Sequence, residues 1–94
     1  MALNAQILSQ IDDALSLWKN LRKDSKYRDH SNLPGDSVME VVARTRTTIW
    51  RLTRQGDKYR EIADEICTNP NVGYGYVDHL TGVLKSLRSD FANN

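Results

Sequence analysis

The segment SVMEVVARTRTTIWRLTR, from Ser37 to Arg54, decides the fold because it has the pattern of one amphipathic helix with two different long faces. Residues three or four positions apart lie on the same side of an α-helix. One side is apolar and consists of Val38, Val42, Thr45, Ile49 and Leu52. Another side is mainly basic and consists of Arg44, Thr47, Arg51 and Arg54. Since the apolar side must be covered, the segment predicts a core built from other helices around it.

Three further segments have apolar residues at helical spacing. They predict a first helix over about Asn4–Lys23, a third over Lys58–Thr68 and a fourth over Tyr76–Phe91. We expect their apolar faces to be Leu3, Ile7, Ile11, Ala14, Trp18 and Leu21 in the first, Tyr59, Ile62, Ala63, Ile66 and Cys67 in the third, and Val77, Leu80, Leu84, Leu87 and Phe91 in the fourth.

Capping residues predict where these helices begin and end. Ser37 and Glu40 fit a capping box, so Asp36 or Ser37 is the expected N-cap of the second helix. Gly56 is expected to close that helix, because glycine readily adopts the left-handed conformation found after helix ends. Asp57 is the expected cap of the third helix. Two polar segments with turn residues connect the helices: Asp24–Asp36 and Asn69–Gly75.

Composition supports a single small domain. The chain has 94 residues, of which 39% are hydrophobic, with only five glycines and two prolines. That content suits a globular domain, while the scarcity of turn residues argues against an all-β fold. We predict an all-α fold, a small antiparallel bundle of about four helices, with residues 1–94 as one helical domain. The fourth helix stays amphipathic almost to the last residue. We therefore expect this domain to be the N-terminal domain of a longer protein.

The sequence favours a cytoplasmic protein. It contains one cysteine, so no disulfide can form within the chain. It has neither a secretory signal pattern nor an apolar run of the roughly 20 residues that a membrane span requires. We therefore expect no membrane partner.

No pattern of catalytic or metal-binding residues is visible. His30 and His79 are far apart, and neither has a His or Cys one turn away, so we predict no metal site. Both histidines are expected at the surface, or His79 partly packed against the first helix. Cys67 follows Ile66 on an apolar face, where a buried thiol is unreactive. We predict no enzyme, no cofactor and no small-molecule substrate.

The arginines of the second helix are the main candidate for a binding site. Net charge is only +1, but arginine makes bidentate contacts to carboxylates and phosphates. These arginines either pair with the chain's own acids, meet an acidic protein surface, or follow a nucleic-acid backbone. A second copy offers acidic surfaces at Asp12/Asp13 and Glu61/Asp64/Glu65. Nucleic acid is the less favoured partner because the chain is nearly neutral.

We predict a non-catalytic helical module for protein–protein interaction or self-association. Aromatic residues and arginines are enriched at interface centres, so Trp50 is expected to supply apolar contact area and the arginines to set the register. The predicted contact surface is Arg44, Arg46, Trp50, Arg51 and Arg54. The alternative is a nucleic-acid-binding module that uses those arginines together with Lys19, Arg22, Lys23 and Lys26.

A set of core, turn and arginine positions resembles the N-terminal helical segment of a group of largely uncharacterised bacterial proteins. The motifs are Trp18-x-x-Leu21-Arg22, Ser25-Lys26-Tyr27, Asp29-x-Ser31-x-Leu33-Pro34, Arg44-x-Arg46, Ile49-x-Arg51-Leu52, Gly56-x-x-Tyr59 and Leu80-x-Gly82-x-Leu84-x-x-Leu87-Arg88-x-Asp90-Phe91. The resemblance implies that a second, mostly helical domain follows. Some such domains resemble HEPN-type ribonucleases with an Arg-x4–6-His motif, and neither histidine here has an arginine at that offset.

Overall fold

The chain forms four α-helices in a computed structural model that describes residues 2–69 and 73–93, the side chains of residues 2–4 and 93 excepted. The helices are α1 (Ala2–Arg22), α2 (Gly35–Leu52), α3 (Lys58–Thr68) and α4 (Tyr76–Asn93). The described residues include no strand, and the predicted all-α class with four helices is confirmed. The predictions for the Leu3 side chain and for part of the Asn69–Gly75 connector lie outside the described residues. No helix in the described part is long and apolar enough to cross a bilayer.

Side-chain contacts show how the helices run relative to one another. Asp12 contacts Arg88 whereas Arg22 contacts Asp78, so α1 is antiparallel to α4. Similarly, Arg46 contacts Asp64 whereas Thr53 contacts Arg60, so α3 returns antiparallel to α2. Both α2 and α4 pack against all the other helices, which places α1 and α3 on opposite sides of the α2–α4 pair.

The core lies between α1, α2 and α4. Among the described residues, fourteen apolar residues are buried, twelve of them in these three helices, with Leu33 from the α1–α2 connector and Ala63 from α3: Ile11, Ala14, Trp18, Leu33, Val38, Val41, Val42, Ile49, Ala63, Tyr76, Val77, Leu80, Leu84 and Leu87. The predicted apolar face of α3 is wrong at Ile62, which is 39% exposed. Because α3 packs on α2 and α4 but not on α1, only a narrow strip around Ala63 is fully covered.

The predicted ends of α2 are also wrong. The helix begins at Gly35 after Pro34, whose extended backbone (φ −61°, ψ 127°) is the N-cap and makes no side-chain capping bond. Buried Leu33 anchors the chain immediately before this point, so the start of α2 is set by packing and by proline rather than by the Ser37 hydroxyl. Thr53, in an extended conformation, ends the helix. Arg54 therefore lies beyond α2.

The predicted cap of α3 is confirmed. Asp57 accepts a 2.8 Å hydrogen bond from the backbone N–H of Tyr59 through its side chain. Gly56, with φ of +87°, lies in the turn between the helices and not at the end of α2. This turn is tight because the Asp57 N–H also donates to the carbonyl of Arg54.

A buried hydroxyl in the core lacks a partner among the described residues. Thr45 has no exposed surface, and its Oγ1 makes no hydrogen bond there. Thr81 is similarly buried, but its hydroxyl donates to the carbonyl of Val77 at 3.0 Å. A buried hydroxyl without a partner costs free energy, whereas a bonded one does not.

This contrast predicts opposite effects of the same substitution at two sites. Thr45→Val should raise the free energy of unfolding by about 1 kcal/mol, because it removes an unsatisfied hydroxyl from the core. Thr81→Val should lower it by about 1 kcal/mol, because a made hydrogen bond is lost. Urea unfolding followed by circular dichroism measures both. If both substitutions changed the free energy of unfolding equally and in the same direction, the Thr45 hydroxyl would have to have a hydrogen-bond partner.

Candidate functional site

All five residues of the predicted contact surface are exposed along the outer side of α2 and the turn after it. Trp50 is 42% exposed, and a large aromatic side chain is seldom so accessible to solvent. Met39, also exposed, and Ala43 lie on the same side of the helix, eleven and seven residues before Trp50. This outer face of α2 therefore combines apolar area with arginines.

The ring of Trp50 is held in place by α3. Its Nε1–H donates to Asp64 at 2.8 Å. The Arg60 guanidinium lies 4.2 Å from the ring centroid and the Arg46 guanidinium 5.8 Å from it, both within the range of cation–π contacts. Arg60 also donates to the carbonyls of Trp50 and Thr53, satisfying groups that the end of α2 leaves free. Trp50 thus presents a pre-oriented surface.

The predicted arginines fall into two groups. Arg46 pairs with Asp64 at 3.2 Å, and Arg44 pairs with Glu40 one turn away at 3.5 Å. Both pairs are exposed and contribute little to stability. Arg51 and Arg54 form no salt bridge within the part of the chain that the structure describes. These two cations are the ones left for an external partner.

The outer face of α2 is nearly flat. It has two shallow hollows, of about 480 and 370 Å³, that share Thr47 and Arg51. A small-molecule site encloses most of its ligand in a cleft, which neither hollow does. A flat face of this kind suits contact with another protein rather than with a small molecule.

An acidic surface lies on the neighbouring helix. Glu61 and Glu65 are exposed one turn apart on α3, and neither forms a salt bridge with a described residue. By helix geometry they point outward beside Asp64, which faces α2. The side formed by α2 and the turn after it, and the adjacent α3, thus present opposite charges that have no salt-bridge partner among the described residues.

A second cluster surrounds His30. The prediction that this histidine lies at the surface is wrong, because it is buried. Only 6% of the residue is exposed. Its Nε2 lies 2.9 Å from Asp78 Oδ2, its Nδ1 lies 2.6 Å from Ser25 Oγ, and its ring stacks edge-on against Trp18. His79, in contrast, is exposed as expected. The prediction failed for His30 because its partners are distant in the sequence.

Asp78 is the centre of this cluster. It also accepts from Trp18 Nε1 at 3.0 Å and pairs with Arg22 at 3.2 Å. Burial alone would raise the pKa of Asp78, but hydrogen bonds from Trp18 and His30 and the charge of Arg22 outweigh it, so the pKa is lowered. The cluster ties the α1–α2 connector to both α1 and α4.

The order Ser25, His30, Asp78 is that of a nucleophile, a base and an acid, yet the surroundings lack other parts of such a site. The Ser25 N–H bonds to the carbonyl of Arg22, and the Lys26 N–H bonds to Asn32 Oδ1. These backbone donors beside Ser25 are therefore occupied and do not form an oxyanion hole. The geometry fits a structural role, in which these contacts fasten the connector to the helices. We call the cluster of Trp18, Arg22, Ser25, His30 and Asp78 the latch.

The other predicted chemistry can be placed as well. Cys67 is half-buried, and burial raises the pKa of its thiol, as expected for a packing residue. Among the described residues, no group of three or more His, Cys, Asp or Glu side chains is arranged to hold a metal ion.

No family model matches the chain, and neither a curated protein nor a solved structure is significantly similar to it. The resemblance to bacterial N-terminal helical segments therefore stays a prediction.

The lowered pKa of Asp78 predicts that the latch weakens in acid. Asp78→Asn should cost about 1–3 kcal/mol of unfolding free energy near neutral pH, because it leaves Trp18, His30 and Arg22 with a weaker acceptor. Since the folded-state pKa lies below the ordinary value of about 3.9, the stabilisation is complete above that value and is lost as the pH falls through the lowered pKa.

The measurement is urea unfolding of wild type and Asp78→Asn at about pH 5 and about pH 2.5, two conditions on either side of the ordinary aspartate pKa. The difference between the two proteins should shrink at the lower pH. Asp13→Asn, at an exposed position, is the matched control and should behave as wild type. A difference that is independent of pH would contradict an ionised Asp78 as the centre of the latch.

Proposed function

We propose that this domain is a non-catalytic self-association module, in which the outer face of α2 in one copy binds the outer face of α3 in a second copy. One observation carries the proposal. Neighbouring segments present opposite charges without salt-bridge partners among the described residues: Arg51 on α2 and Arg54 in the turn after it, and Glu61 and Glu65 on α3. The half-exposed ring of Trp50 lies beside them.

The arrangement of the two helices supports a symmetric dimer. In a twofold interface the same patch meets itself, so residue i contacts residue j and residue j contacts residue i. Because α2 and α3 are antiparallel neighbours, an axis between them would lay each α2 across the partner copy's α3. Both sets of opposite charges would then meet in one dimer, which doubles the favourable electrostatic contribution to binding.

The chemistry of such an interface already occurs inside the chain. Arg46 and Trp50 of α2 both bind Asp64 of α3. Between copies, Arg51 and Arg54 would bind carboxylates in the same way, giving the encounter its direction and its register. Trp50 would supply apolar contact area at the centre.

The surrounding charges favour protein over nucleic acid at this face. Glu40 pairs with Arg44 on α2, Glu61 and Glu65 are exposed on the adjacent α3, and these acids would repel a phosphate backbone. The single cysteine and the resemblance to bacterial segments support a bacterial cytoplasmic setting for the module.

Charge reversal tests the pairing directly. Sedimentation velocity over a concentration series should show a dimer for wild type and monomers for Arg51→Glu/Arg54→Glu and for Glu61→Arg/Glu65→Arg, because each double variant places like charges opposite each other. Mixing the two double variants should restore a dimer, since both sets of opposed charges are then of opposite sign, one of them with its signs reversed. Lys26→Glu, an exposed charge reversal in the α1–α2 connector, is the control.

A wild-type monomer at every concentration would overturn self-association. A dimer unaffected by both double variants would place the interface elsewhere on the molecule.

Trp50→Ala separates apolar contact from charge. We expect it to weaken the dimer about tenfold or more, and to do so in high salt as well, because the buried ring area does not depend on screening. Trp50→Phe keeps an aromatic ring but loses the bond to Asp64, so it should retain most of the affinity. Thermal unfolding of each variant checks that the fold is intact. Equal affinity of wild type and Trp50→Ala would remove Trp50 from the interface.

A further inference from the structure

We propose that the groove between α1 and α4 is a second binding site, which takes the phosphate backbone of a single-stranded nucleic acid without reading its sequence. The groove has a volume of about 1040 Å³. Three of the chain's five lysines line it: Lys19 from α1, Lys23 from the turn directly after α1, and Lys85 from α4. It lies apart from the α2–α3 surface and is argued independently of it.

The acids that line the groove are already paired with cations of the chain itself. Arg88 binds both carboxylate oxygens of Asp12, at 2.6 and 3.3 Å. The hydrogen bond from Arg88 lowers the pKa of Asp12, so the pair persists as ions at neutral pH. Asp78 is likewise occupied at both oxygens by Trp18, Arg22 and His30.

The lysines, in contrast, are available. Lys19, Lys23 and Lys85 are exposed, and none forms a salt bridge with a described residue. Because each acid in the groove is already neutralised by a partner, the three lysines give it a positive field although the whole chain is nearly neutral. Lys23 follows Lys19 by four residues, in the turn directly after α1, and Lys85 lies on the opposite wall. A ligand with repeated negative charges would contact both walls.

The groove offers charge but no stacking surface. Its one aromatic residue, Trp18, is only 3% exposed and cannot receive a base on its face. Single-strand binders that hold bases rely on such faces, whereas lysines bind phosphate as point charges. The groove would therefore hold the backbone and leave the bases outside.

Fluorescence anisotropy with a labelled oligothymidylate of about 20 nucleotides, longer than one site, tests this groove. Titrations at several salt concentrations give the slope of log K against log salt. A single-stranded ligand contributes about 0.7 per neutralised phosphate, so Lys19→Ala/Lys23→Ala/Lys85→Ala should reduce the slope by about 2 and weaken binding at least tenfold at low salt. Lys26→Ala/Lys58→Ala removes lysines outside the groove and should behave as wild type.

Two further measurements locate the site and identify its ligand. Arg51→Glu/Arg54→Glu should keep the affinity of wild type, which separates the groove from the α2–α3 surface. Unlabelled oligothymidylate should displace the probe, while polyglutamate of equal charge should displace it less well. Competition by polyglutamate at equal strength, an unchanged salt slope in the triple variant, or no binding at low salt would each overturn the proposal.

Discussion

The carboxylate of Asp78, in the first turn of α4, accepts from side chains of α1 and of the connector that follows it. Trp18 and Arg22 reach it from one segment and His30 from the other. These contacts set the position of the start of α4 against the end of α1, and they hold in place a largely exposed polar connector in which only His30 and Leu33 are buried. The same contacts neutralise the acid at one end of the α1–α4 groove, so one carboxylate contributes both to the stability of the fold and to the charge of the groove.

Helical periodicity was enough to predict the fold class, the four helices and most of the core. The periodic signal is strong because α2 and α4 each pack against all three other helices and need broad apolar faces. It was weaker for α3, where Ile62 has the right spacing but no helix covers it. The ends of α2 were predicted wrongly because Ser37 and Gly56 have ordinary capping chemistry, while Pro34, Leu33 and the contacts of Arg60 determine the observed ends.

The candidate surface on α2 was predictable in outline only. Sequence spacing places Arg44, Arg51 and Trp50 outside the apolar stripe, and they are exposed. It does not show that Asp64 and Arg60 would hold Trp50, because those contacts join separate helices. His30 was missed for the same reason: a single histidine in a polar connector has no local signal of burial, and its acceptor is 48 residues away.

The long sequence separation of the latch has a consequence for synthesis. Trp18 and His30 leave the ribosome 60 and 48 residues before the carboxylate that they bind. Until α4 has been made, the Trp18 indole N–H and the His30 Nε2 lack the carboxylate that they bind in the folded domain. Contacts between distant parts of a chain form late and slowly. During synthesis, the N-terminal half of this domain therefore cannot complete its contacts until its C-terminal helix has been made, and until then it is accessible to chaperones and proteases.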